Sequence, residues 1–157
     1  VSLAPANARE DAVVAVLRDR FGHASAERAL SGSGLVNLHY ALCVLDGVPT
    51  RALQPAEVTA DAMSGADARC VEAVDMFFAL LGSCAGNLAL TLGARGGVYI
   101  GGGIPPRLGD WIDRSAFRER FVAKGRFRGY LDAIPTWLIV ADTSPALIGA
   151  ARALDEL

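Results

Sequence analysis

Two stretches of this chain hold residues able to do chemistry: Gly22 to Leu38 (GHASAERALSGSGLVNL), with a carboxylate at Glu27 and an imidazole at His23, and the glycine turn Gly101, Gly102, Gly103. An ionised carboxylate accepts hydrogen bonds and donates none, so a fixed Glu27 can hold two neighbouring hydroxyl groups. The plainer reading makes it a solvated helix residue paired with His23 four residues back, or with Arg28. An imidazole titrates near neutrality, which makes His23 a formal candidate for a general base. With no triad partner in view, it reads instead as a helix-end or packing residue, and His39 as an ordinary helix residue. The three glycines let a backbone approach a flat base or ribose closely, where a strand passes into a helix. A tight turn needing positive φ explains them equally well without a ligand. Asn87 reads as a buried, hydrogen-bonded packing residue.

Several reaction classes are excluded by what is missing. There is no GxxxxGK[ST] phosphate loop, the only lysine is Lys124, and no GxSxG elbow occurs. The spacing from Gly101 and Gly103 breaks the GxGxxG fingerprint at Pro106. Cys43, Cys70 and Cys84 are odd in number, lie far apart and form no CxxC pair, so no metal ligands are assigned and a reducing cytoplasm fits best. Fifteen basic and 17 acidic residues, net charge -2, are spread along the chain, leaving no electrostatic footprint for nucleic acid.

The elements that must position these residues follow from periodicity. A length of 157 residues and 52% hydrophobic content suit one compact unit. Apolar spacing predicts an amphipathic helix over Asn7 to Arg20 ended by Gly22, and a short helix over Ser25 to Leu30. The SGSG turn leads into a helix over Leu35 to Leu45 with Ser33 as N-cap, and a short helix follows over Pro55 to Met63. Asp67 caps a long helix that carries the uncharged run Met76 to Ala94. That run nearly spans a bilayer and contains a Gly82 to Gly86 GxxxG pattern, but its glycines and polar residues favour a buried core helix over a membrane span. Val98 to Ile100 and Thr136 to Val140 read as strands; helices are expected over Leu108 to Asp113, Ser115 to Lys124 and Ala146 to Leu154. The later half thus alternates strand and helix, giving a helix-rich α/β class.

Taken together, the motifs resemble those of the zinc-free bacterial ATP-dependent glucokinases. The GHxSAE sequence followed by SGxGLxNL matches Gly22 to Leu38, and GNLAL…GGVxIxGGIxPR matches Gly86 to Arg107, except that Ala85 stands where the family pattern begins with a further glycine. KGRF at Lys124 to Phe127, Ile134-Pro135 and PALIGAA at Pro145 to Ala151 continue the match in order.

The resemblance implies an actin-like, ribonuclease H-like sugar-kinase fold in which two lobes close over glucose and ATP with Mg²⁺. It makes residues 1–157 the C-terminal, large-lobe part of such an enzyme. It carries sugar binding to Glu27 and adenosine contact to Gly101, Gly102 and Gly103. The family's catalytic Asn-Asp pair and DxGGT phosphate segment have no counterpart here, so no catalytic residue is assigned and the isolated chain is expected to be inactive. The family's EGGH sugar-binding sequence is expected to end just before Val1, and the opening residues read as a cut, without a secretion signal. The N-terminal lobe is the expected partner, an exposed apolar face should mark where it or a second copy packs, and a homodimer agrees with the resemblance although no residue fixes it. A second hypothesis makes the chain a non-catalytic, sugar-responsive binding or dimerisation module fused to a regulatory domain.

Overall fold

The computed structural model describes residues 1–141 and 145–155. The described residues form eight α-helices, of which α4, Ala68–Leu92, is buried along most of its length and is central to the core. Asp67 accepts from the Arg69 amide at 2.8 Å and caps α4 as the sequence leads one to expect, and Gly93, at φ 59°, ends it. By length and composition α4 could cross a bilayer, but 67% of its most apolar window is buried inside the fold.

The GxxxG pair explains how α4 is covered. A Cβ on Gly82 would stand 2.2 Å from the Phe117 carbonyl oxygen, and one on Gly86 would stand 2.3 Å from that of Phe121. Missing side chains let helix α6, Phe117–Val122, lie directly on α4, with the Phe117 and Phe121 rings stacked at 6.4 Å. The pattern that can dimerise membrane helices serves here as an internal contact.

Helix α1, Ala8–Phe21, begins on Asn7 and ends on Gly22, within a residue of expectation. Its Glu10, almost fully buried, forms a two-pronged ion pair with Arg120 of α6, whose Nε donates to Ser83 Oγ of α4 at 3.0 Å. One network therefore ties α1, α4 and α6. Helices α2, Gly32–Asp46, and α3, Pro55–Ser64, close the other side of α4.

Two short strands, β1 at Val98–Ile100 and β2 at Thr136–Leu138, pair in parallel, with Val98 opposite Thr136 and Ile100 opposite Leu138. Parallel pairing requires a crossover. It runs through α5, Trp111–Arg114, then α6 and α7, Arg128–Asp132. The last helix, α8, Pro145–Asp155, has no buried residue.

The observed elements differ from expectation at several ends. The cap of α2 is Ser31, not Ser33: Ser31 is extended and its Oγ accepts the Gly34 amide at 3.0 Å, so SGSG is the helix's first turn rather than a loop before it. Ser25 to Leu30 contracts to a 3₁₀ turn over Ala26–Arg28. The helix expected over Leu108 to Asp113 is displaced because Gly109 takes φ 59°, ψ -127° between a 3₁₀ turn at Pro105–Leu108 and α5. Ser115 to Lys124 shortens to α6, α7 was not anticipated, and β2 stops at Leu138.

Candidate functional site

The turn carrying Glu27 is held by its backbone while its carboxylate stays exposed. The Ala26 amide donates to the Val1 carbonyl at 2.8 Å, beside an antiparallel bridge between Ser2 and Ser25. Ser31 Oγ donates to the Glu27 carbonyl at 2.8 Å, and the buried Asn37 amide donates to the Arg28 carbonyl at 3.0 Å. Gly34 allows this arrangement: a Cβ there would lie 2.4 Å from the Ala29 carbonyl carbon. The SGxGLxNL residues thus form a mount for Glu27, a role that their spacing did not disclose.

Glu27 forms no ion pair with His23 or Arg28 among the described residues. The Arg28 guanidinium instead lies 4.2 Å from the centre of the Phe21 ring. His23 is exposed, next to the residue that ends α1. No described residue donates to the Glu27 carboxylate, while the backbone that carries it is fixed.

The glycine turn occupies a different place, where β1 ends. Gly102 and Gly103 line a cleft of about 400 Å³ together with Pro106, Arg107, Ile139, Ala141 and Pro145. It opens beyond the carboxyl ends of both parallel strands, the position where open α/β sheets receive ligands. Only Gly102 of the three has positive φ, 115°, and so is required by the turn itself. Gly101 and Gly103 have no such φ, and an added Cβ would meet nothing closer than 3.7 Å and 3.9 Å. Within this chain neither backbone conformation nor crowding requires a glycine at those two positions, and Gly101 is not part of the cleft lining. Arg107 and Ile139, not singled out from the sequence, belong to the same lining, and Arg107 has no carboxylate partner among the described residues. Glu27 is not part of this lining.

Two further expectations are corrected. Asn87 is exposed rather than buried, because the face of α4 that meets α6 is formed by Gly82 and Gly86. His39 is not an ordinary helix residue: it is 1% exposed, with Nε2 3.3 Å from Asp67 Oδ2 and 3.6 Å from Cys43 Sγ. Burial pushes the neighbouring Cys70 thiol up to about 12, and the Asp67 charge adds to the effect. Burial also acts to raise Asp67, but hydrogen bonds from the Arg69 amide and His39 outweigh it and hold the carboxyl below its usual range.

Comparison with known proteins gives a consistent picture. The sequence family described as Glucokinase matches residues 1–157. A glucokinase of Chromobacterium violaceum is 60% identical over 155 residues, covering 99% of this chain and 44% of its own length. One of Aromatoleum aromaticum is 57% identical over 156 residues, 99% of this chain and 47% of the relative. The crystal structure of a glucokinase from an Antarctic psychrotroph superposes with a TM-score of 0.90 at 36% identity, over 100% of this chain and 48% of that one. A glucokinase from Balamuthia mandrillaris, solved in complex with glucose, shares the fold with a TM-score of 0.73 at 20% identity, over 90% and 41% of the two chains. The chain spans about half the length of the curated relatives that it matches.

Proposed function

The chain belongs to the glucokinase family, and from that premise we propose that it is the C-terminal, large-lobe half of an enzyme that transfers the γ-phosphoryl group of ATP to the 6-hydroxyl of glucose. In this reading Glu27 holds sugar hydroxyls, and Gly101, Gly102 and Gly103 flank adenosine. The observation that carries it is the exposed Glu27 carboxylate on a backbone fixed from three sides. The backbone that carries the group is already placed before ligand arrives, which reduces part of the ordering cost of binding. A buried acceptor left unpaired by a deoxy analogue would also discriminate against that analogue.

The cleft at the strand ends suits the nucleotide. Its glycines leave room for a flat base, and Arg107 offers a guanidinium able to meet phosphate oxygens. Mg²⁺ would accompany ATP; it neutralises phosphate charge when bound, and the residues expected to hold it belong to the other half. That half would also supply the general base, and the segment before Val1 would enter beside the Glu27 turn, since Val1 pairs with Ala26. Glu27 and the nucleotide cleft act on separate parts of the substrates, and the jaw that brings them together is the remainder of the enzyme.

Exposed apolar side chains among the described residues agree with this division. Tyr99 and Trp137, register partners in the sheet, are 66% and 53% exposed, and Leu147 and Ile148 of α8 are exposed as well. Exposed apolar side chains of this kind are where the N-terminal lobe would pack. The enzyme would work in the cytoplasm. A coupled assay of glucose-dependent ADP production tests the assignment: an enzyme of full family length should turn over, and the 157-residue chain should not. Turnover by the chain alone would overturn the division of labour, and no turnover by the longer protein would overturn the activity.

A further inference from the structure

Two arginines from different elements meet on one aromatic ring beside the Glu27 turn. The guanidinium carbon of Arg28 lies 4.2 Å from the centre of the Phe21 ring, and that of Arg20 lies 5.1 Å from the same ring and 4.1 Å from the ring of Tyr40. Phe21 packs against the core and Tyr40 is half-buried, whereas both arginines are exposed. Neither guanidinium forms an ion pair or a side-chain hydrogen bond among the described residues. Asp19 and Glu27, their neighbours in sequence, are exposed and pair with neither. The helix dipole accounts for Arg20, which stands in the last turn of α1, but not for Arg28, which reaches the same ring from the 3₁₀ turn. Two like charges gathered at one ring repel each other, and an anion bridging them would offset that repulsion.

We propose that Arg20 and Arg28 form a binding site for a phosphate-class dianion, either free phosphate or the phosphate group of a monoester. A planar guanidinium can meet two phosphate oxygens at once, and charge-assisted bonds of this kind are about twice as strong as neutral ones. Contact with a ring orients each fork beforehand, which lowers the ordering cost of binding. The site is separate from the glycine cleft, whose lining includes Arg107 and neither of these two residues. Arg28 directly follows Glu27, and Asn37 holds its carbonyl, so the anion would bind to a turn whose backbone is already fixed.

Calorimetric titration of the full-length enzyme with inorganic phosphate, in the absence of nucleotide, tests this. Saturable binding is expected, weakened at least tenfold by Arg28→Gln and by Arg20→Gln, with folding checked by circular dichroism. Arg28→Lys keeps the charge and the cover over Phe21 but loses the fork, so it should weaken binding as well and serves if Arg28→Gln fails to fold. Arg18→Gln, exposed on the same helix, and Arg107→Gln, in the cleft, should leave this affinity unchanged. A hexose 6-phosphate separates the two sources: tighter binding that Arg28→Gln removes marks a monoester site, and binding equal to that of phosphate marks a site for the free anion. No saturable binding to the parent, unchanged affinity in the folded Arg28 variants, or loss confined to Arg107→Gln overturns the site. Equal weakening by Arg18→Gln would show an adventitious ion only, drawn by general charge, and overturns it too.

Discussion

The side-chain amide of Asn37 donates to the main-chain carbonyl of Arg28 at 3.0 Å, so that a buried residue of α2 steadies the exposed turn of Glu27. Replacing Asn37 by Ala removes the donor and leaves that carbonyl unpaired, at a cost of about 1 to 3 kcal/mol. In the full-length enzyme Asn37→Ala should raise KM for glucose while leaving KM for ATP nearly unchanged, because only the sugar-side turn is loosened. Steady-state kinetics with each substrate varied in turn measures the difference.

Gly82 lies where α4 and α6 touch. Alanine would favour the helix by about 1 kcal/mol over glycine on propensity alone. Its Cβ would nevertheless fall 2.2 Å from the Phe117 carbonyl oxygen, a backbone atom that cannot rotate aside. The clash should dominate: Gly82→Ala is expected to lower stability by about 1 to 3 kcal/mol in urea unfolding.

Much of this framework was legible in the sequence, for identifiable reasons. The ends of α1 and the start of α4 are readable because Asn7, Gly22 and Asp67 cap through their own local hydrogen bonds and φ values. β1 was readable because three β-favouring residues stand between glycines. Ser31 and Ser33 both precede the apolar run, and only the extended backbone of Ser31 identifies it as the cap. The short α7 has little periodicity to betray it. The His39 cluster was hidden because its members arrive as two pairs on different helices, His39 with Cys43 and Asp67 with Cys70, 28 residues apart between His39 and Asp67. The motifs pointed to Glu27 and the glycine turn, but the mount formed by Asn37 and Gly34 depends on a chain reversal that spacing does not reveal.

Glu10 gives the fold a pH dependence. Burial alone would raise its carboxyl, but hydrogen bonds from Arg120 and the Ala6 amide, with the Arg120 charge, outweigh burial and hold it below the ordinary 4.5. A lowered native value contributes stability that is fully present once the unfolded glutamate is ionised, and that is lost as pH falls through the native value. Glu10→Gln should therefore be less stable than the parent by about 3 kcal/mol near neutrality. The gap should narrow below pH 4.5, as read from thermal unfolding across pH.

Gly103 lines the cleft without needing a glycine's φ, so a larger side chain can be installed with little strain. Gly103→Val should raise KM for ATP in the full-length enzyme, while KM for glucose and the unfolding midpoint stay within error. Gly102→Ala, at φ 115°, should instead lower stability, since L residues avoid that conformation.

The most direct test of the account is the kinetics of Glu27→Ala in the full-length enzyme. The turn is held by its backbone, so folding should be unaffected, and loss of charge-assisted bonds worth about 1.5 to 3 kcal/mol predicts that kcat/KM for glucose falls about 10- to 150-fold. A variant that folds normally and uses glucose with unchanged kcat/KM would contradict the proposal that this carboxylate grips the sugar.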